Sequence, residues 1–267
     1  MNHYRKITRT LVVLFLLASC GSVTMTGRRQ LLLVSDAEIL TASFTQYEAY
    51  MQTAPKSTDV VKSATIERVG KSIAAATENH LRKNGRESEI ANFRWEFNLI
   101  NDDAVNAFCM PGGKIVVFEG LLPLVSSDDE LAVVIGHEIG HAVAKHSNER
   151  MSQEMLAQYG ANIVDAALSS KTTAMQNVGN TIFGLGAQLG VMLPYSRQHE
   201  YEADYLGLVF MTLAGYNPNS ALTFWQKMSA MAGNSNGSDF MSTHPSDNKR
   251  IAEIQRRMQE MEKYKNN

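Results

Sequence analysis

Apolar positions recur along this chain with three different spacings, and each spacing predicts a different kind of element. Ile66, Val69, Ile73 and Ala76 fall on one face of a 3.6-residue repeat, which predicts a helix closed by Asn84-Gly85. Phe93, Trp95, Phe97 and Leu99 instead alternate with Arg94, Glu96 and Asn98, the period-two pattern of a strand with one buried face. After an Asn101-Asp102-Asp103 turn, Val105 to Cys109 and Lys114 to Phe118 flank Met110-Pro111-Gly112-Gly113, which reads as a hairpin. The third pattern runs from Leu131 to Ala144, apolar on every side except at His137, Glu138 and His141, so that helix has to be buried all round.

Helical spacing continues to the end of the chain. The expected helices cover residues 128–148, 150–168, 196–214 and 220–232, with a Gly-interrupted stretch before Leu193. A last helix starts near Pro245 and carries the stripe Ile251, Ile254, Met258 and Met261. A small antiparallel sheet followed by a run of helices is an α+β, mainly α, arrangement. Residues 58–267 are the expected folded domain. Residues 20–57 are polar and weakly periodic apart from Leu31 to Val34, so they read as a tether and lead-in.

Composition narrows the class without defining a function. The chain has 267 residues, 44% hydrophobic and 19% charged, the balance of an ordinary globular protein. A formal net charge of -2, with no basic stripe, argues against a nucleic-acid partner. The first residues differ: Arg5, Lys6 and Arg9 precede the apolar run Leu11 to Leu17, followed by Ala18 and Ser19, which predicts a secretory signal over residues 1–19. That run is far short of the ~20 apolar residues needed to cross a bilayer. Leu17-Ala18-Ser19-Cys20-Gly21 resembles a bacterial lipobox, so Cys20 is the expected lipid-bearing N-terminus. Gly21 after it, rather than Asp, implies the periplasmic face of the outer membrane. With Cys20 acylated, Cys109 has no partner; a Cys20–Cys109 bridge is the alternative.

The chemistry sits on the all-apolar helix. Ser126-Ser127-Asp128-Asp129-Glu130 contains two overlapping capping boxes, so the helix begins there. His137 and His141 lie one turn apart and their imidazoles reach a single point, where a zinc ion fits. Glu138 lies about 100° round the helix, close enough to meet a metal-bound water without being a ligand. Leaving a Glu and two His unpaired in an apolar surrounding is costly, which disfavours two ordinary core histidines. A catalytic zinc takes a third protein ligand. Glu200 is the candidate: Glu200 and Asp204 share a stripe with Gly207, Leu208 and Met211, and Glu202 points the opposite way. Asp204 is then placed to accept the second ring N–H of a ligating His. His199 is read as a surface residue.

Four stretches carry a resemblance. They are Asn106-Ala107-Phe108 with Pro111-Gly112-Gly113, His137-Glu138-x-x-His141, Ser196-Arg197-x-x-Glu200-x-Glu202-Ala203-Asp204, and Thr243-His244-Pro245 with Arg250. In that order they resemble metallopeptidase family 48, the family of HtpX and the type I CAAX prenyl proteases, and within it the short periplasmic lipoprotein proteases of the LoiP and BepA kind. The resemblance implies a zincin-like (gluzincin) fold, one zinc per chain, and hydrolysis of misfolded or misassembled envelope proteins. It also implies that His244 approaches the zinc, as a plug on the open position or as an oxyanion stabiliser; a plain loop histidine is the alternative. The chain lacks clear membrane spans and a helical-repeat tail, which favours the short form.

The mechanism expected from these residues is metal-assisted amide hydrolysis with Glu138 as general base. The substrate is an unfolded polypeptide paired as an added strand along Lys114 to Phe118. A non-catalytic lipoprotein chaperone or assembly factor with a structural zinc is the rival. The uncharged stretch 172–196 is read first as core packing, then as a lid, and last as a membrane contact.

Overall fold

The computed structural model describes residues 20–156, 196–232, 240, 243–244 and 248–265. Two short strands, β1 (Cys20–Ser22) and β2 (Arg29–Leu31), form an antiparallel ribbon in which Cys20 faces Leu31. Helix α1 (Asp36–Thr53) follows, opened by a complete capping box between Ser35 and Glu38. The expected tether over residues 20–57 is therefore corrected: this stretch is folded. Its buried stripe, Ile39, Ser43 and Tyr47, is one residue wide and interrupted by a polar side chain, so it carries little apolar periodicity. Ser43 is nonetheless satisfied, its hydroxyl donating to the Pro111 carbonyl at 2.7 Å.

Helix α2 (Val60–Lys83) is capped by Asp59 and buries Ile66, Val69 and Ile73, as the spacing predicts; Ala76, the fourth expected position, is only partly buried, and Leu81 is buried as well. Fully burying side chains of this size stabilises by about 1.5–3 kcal/mol each. Strands β3 (Glu96–Ile100), β4 (Ala107–Met110) and β5 (Lys114–Phe118) make a sheet in the order β3-β5-β4. β4 and β5 are the expected hairpin, whereas β3 pairs parallel with β5, Glu96 opposite Lys114. The sheet is thus mixed rather than antiparallel, because the chain leaving β3 passes to the far side before turning into β4. A consequence for function follows at once. β5 is the central strand, paired on both sides, and has no free edge for a peptide.

Helix α3 (Asp128–Val143) starts on the Ser127 cap and is buried along almost its whole length. It stops earlier than the periodicity predicts. Lys145 adopts φ 56, a left-handed conformation that a non-glycine residue takes only in a specific turn, and a second helix, α4 (146–156), departs from it. Helices α5 (Arg197–Leu213), α6 (Ser220–Ala232) and α7 (Asn248–Met261) complete the described chain close to the expected bounds. Residues 1–19, the remainder of the expected 150–168 helix and the uncharged stretch up to 195 lie outside the described residues. Among the described residues no helix is long and apolar enough to cross a membrane.

The crossing of α3 over α5 positions everything that follows. Gly136 and Gly140 on α3 face Ala203 and Gly207 on α5. A Cβ at Gly140 would lie 2.7 Å from the Ala203 carbonyl oxygen, and one at Gly207 would lie 2.8 Å from the His137 backbone nitrogen. Small residues one turn apart on both partners let the two backbones touch, which is how side chains sixty positions apart in sequence reach a common point.

Candidate metal centre

At the α3/α5 crossing, four buried side chains converge: His137, His141, Glu200 and His244. Their nearest donor atoms all lie within 4.8 Å of one another. His137 Nε2 is 3.0 Å from His141 Nε2, and Glu200 Oε2 and Oε1 lie 3.5 and 3.4 Å from those two nitrogens. Tetrahedral bonds of ~2.0–2.1 Å put ligand atoms about 3.3 Å apart, so these three donors stand as corners around one small cation. His244 Nδ1 fills the fourth corner, 3.2 Å from His137 Nε2 and 3.1 Å from Glu200 Oε1. Glu138 sits beside this set without joining it: its Oε1 is 3.5 Å from His244 Nε2 and has no hydrogen-bond partner.

The His137 flank is built from charge. Its Nδ1 donates to Asp204 Oδ1 at 2.9 Å, and Arg250 grips the same carboxylate with Nε at 2.5 Å and Nη2 at 2.8 Å. Arg250 is itself buried, its guanidinium lying 3.6 Å above the Trp225 ring. Nη1 of the same group approaches Glu200 Oε2 to 2.8 Å as an ion pair off the hydrogen-bonding direction, so that oxygen accepts no hydrogen bond. The His141 flank is built differently. His141 Nδ1 meets His146 Nδ1 at 2.9 Å, and His146 Nε2 meets Glu202 Oε2 at 3.0 Å.

Electrostatics at the centre ask for a cation. Burial works to raise Glu200, yet the charges of His244 and Arg250 hold its carboxyl well below the usual range. Burial likewise disfavours a charged His137, but Asp204 and Glu200 draw it up to about 9. The carboxylates thus demand positive charge at His137 Nε2, the place that a proton or a metal ion takes. His141 is pushed well below the imidazole range by burial and by the His137 charge. Glu138 is raised by burial, in spite of the lowering influence of His244 and His137, which suits a group that exchanges protons. Two imidazole nitrogens and a carboxylate oxygen, buried and crowded around one point, fit a divalent ion of the zinc kind.

Comparison with known proteins points to metal-dependent peptidases. Residues 61–258 match the model of peptidase family M48. The chain belongs to this family. Among its relatives are the mitochondrial metalloendopeptidase OMA1 of Schizosaccharomyces pombe, 38% identical over 169 residues, and that of Arabidopsis thaliana, 42% identical over 163. The beta-barrel assembly-enhancing protease of Escherichia coli (strain K12) is 30% identical over 173 residues. These alignments cover 63, 61 and 62% of this chain but only 48, 31 and 35% of the relatives, so the chain spans less than half of each. The expected localisation, lipid-anchored on the periplasmic face of an outer membrane, is overturned by these relatives, since the proteins at 38 and 42% identity are mitochondrial. Basic residues ahead of an apolar run do not by themselves fix a destination.

As an M48 chain, the molecule shows where sequence reasoning was incomplete. His199 is not a surface residue; it is buried, stacked on His146 at 4.5 Å between centroids, with Nε2 3.1 Å from Glu149 Oε2. Glu202 does point away from Glu200, but into a second buried cluster with His146 and Arg28 rather than into solvent. His146 follows the His-Glu-x-x-His pattern by five positions, a spacing without meaning in a continuous helix; only the turn at Lys145 brings it back. Cys109 is a free, buried thiol whose ionisation burial and the nearby Glu138 charge push well above the ordinary value.

Proposed function

We propose that the chain is a zinc-dependent endopeptidase acting on unfolded or misassembled polypeptides. His137, His141 and Glu200 hold the metal and Glu138 is the general base. The carrying observation is Glu138 itself. It is buried at 1% exposure, lies next to the donor set, and has one oxygen that no group satisfies. A site that only staples the fold has no use for such a carboxylate. When bound, zinc supplies Lewis acidity, lowering the pKa of a water and polarising the scissile carbonyl.

The chain's own residues do the rest. Glu138 takes the proton from the attacking water and returns it to the leaving amine, which removal of a buried carboxylate from bulk water makes easier. Asp204 holds the His137 ring with its Nε2 directed at the metal, and Arg250 balances the negative charge of Asp204 and Glu200. His244, with Nδ1 3.2 Å from His137 Nε2, would stand at the position that the substrate carbonyl has to reach. The peptide pairs with β4 rather than β5, since β4 ends the sheet among the described residues. In an antiparallel ladder alternate residues face outward. Asn106 is bonded to Phe118, so Ala107 and Cys109 present their N–H and C=O away from β5. Backbone pairing of this kind gives affinity without strict side-chain choice, which suits unfolded substrates.

The test is Glu138→Gln. Zinc content and melting temperature stay at wild-type values, while cleavage of casein falls by about 10²–10⁴-fold, the usual worth of a general base. Cleavage within a few fold of wild type would remove Glu138 from the reaction and return the rival, a chaperone with a structural zinc.

A further inference from the structure

Beneath the N-terminal ribbon lies a buried charge cluster that touches no metal donor and that the hydrolytic scheme does not use. Arg28, between β1 and β2, donates from Nε to Glu202 Oε2 at 2.6 Å and forks onto Glu149 with its two terminal nitrogens at 2.9 and 2.6 Å. The Thr26 hydroxyl donates to the other Glu202 oxygen. The residues involved come from three separate parts of the chain, and Glu149 and Glu202 are 4 and 7% exposed. A cluster so placed needs a purpose beyond pinning a surface ribbon.

Its hydrogen bonds lead in one direction. Glu202, compensated by Arg28, is a carboxylate and accepts only, so His146 Nε2 is the donor between them. An imidazole with its proton on Nε2 has a bare Nδ1, and that atom faces His141 Nδ1 at 2.9 Å. The proton in that contact therefore belongs to His141. A neutral His141 with its proton on Nδ1 has a bare Nε2, the atom aimed at His137 and Glu200. The opposite tautomer of His146 would force a proton onto His141 Nε2, where the ion belongs.

Backbone geometry makes this relay possible. In an unbroken helix, residues five apart are about 140° out of phase, so His146 would face away from His141. The left-handed turn at Lys145 folds it back, and the Lys145 ammonium is anchored 2.5 Å from Asp36 Oδ2 at the start of α1. Residues before the catalytic helix thus brace this turn as well as the cluster behind it.

We infer that Arg28 is a positioning residue for the metal. Through Glu202 and His146 it holds His141 in the tautomer that offers Nε2 to the ion, so docking of the N-terminal ribbon and metal affinity are coupled. This rests on the zinc reading above. Coupling of two equilibria is reciprocal: the bound ion favours the docked ribbon by the same factor as the docked ribbon favours the ion.

Two measurements on the full chain decide it. Zinc affinity is determined by competition with a chromophoric chelator for wild type, Arg28→Ala and Arg28→Lys, with circular dichroism and melting alongside. Arg28→Ala weakens zinc binding by about 10–100-fold, the usual effect of losing an outer partner of a ligand, and Arg28→Lys falls between. In wild type, deuterium exchange over residues 20–31 slows when zinc is added to the stripped protein. Zinc affinity of a folded Arg28→Ala within twofold of wild type would overturn the inference. If that variant fails to fold, the exchange comparison stands alone, and equal exchange with and without zinc overturns it. Failure of the zinc reading is distinct, because then wild type itself binds no zinc.

Discussion

His137 and His141 sit one turn apart on the same helix and are held by opposite means. On the His137 side a carboxylate bonds the ring directly, and a buried arginine compensates that carboxylate. On the His141 side a second imidazole stands between the ring and its carboxylate. A direct carboxylate makes the ring more basic as well as fixing it, whereas a neutral relay fixes the tautomer without adding charge next to the ion. The two flanks also differ in origin. Asp204 and Arg250 come from α5 and α7, after the catalytic helix, and Arg28 comes from the ribbon before it.

Three experiments probe these flanks, beginning with the largest effect. Asp204→Ala strands Arg250 between one acid and an aromatic face, and breaking a buried pair of this kind costs about 3–5 kcal/mol. Urea denaturation should show that loss together with release of zinc, whereas a variant that melts like wild type would show that the His137 flank does not depend on charge. Gly140→Ala acts on both flanks at once, because its new methyl lies 2.7 Å from the Ala203 carbonyl and pries the helices apart. Overpacking costs about 1–3 kcal/mol, and zinc affinity should fall with it. An unchanged melting temperature would mean that the crossing yields freely.

The smallest effect is one of acid stability. Burial works to raise Glu149, but the hydrogen bonds of His199 and Arg28 prevail and bring it down to about 2. Its folded value lies below that of the unfolded chain, ~4.3. The stabilisation is therefore fully present above ~4.3 and disappears as pH falls from that value through about 2. Arg28→Ala should narrow that window, so acid unfolding of the variant begins at higher pH than in wild type. Coincident acid transitions would remove Glu149 from the account.

The sequence carried the His137 flank and hid the other, for a physical reason. Glu200, Asp204 and the His-Glu-x-x-His pair lie on regular helices, where spacing maps directly to direction. The His141 flank depends on a left-handed turn at Lys145, and no periodicity announces a break in a run that stays apolar through Val143 and Ala144. Spacing accordingly puts His199 on the surface, turns Glu202 away from the site and gives no role to His146. Helix α1 shows no apolar periodicity because Ser43 divides its buried stripe, and its one local signal is the Ser35 to Glu38 capping box. The parallel pairing of β3 with β5 escaped for another reason: alternation shows that a strand exists and is silent on its neighbour.

The central claim is that α3 and α5 bring two imidazoles and one carboxylate to a single divalent ion. Elemental analysis of zinc in wild type and in Glu200→Ala, purified side by side and both shown to be folded, tests it most directly. The account predicts one zinc per wild-type chain and little or none in the variant. A folded Glu200→Ala protein with its full complement of zinc would contradict it.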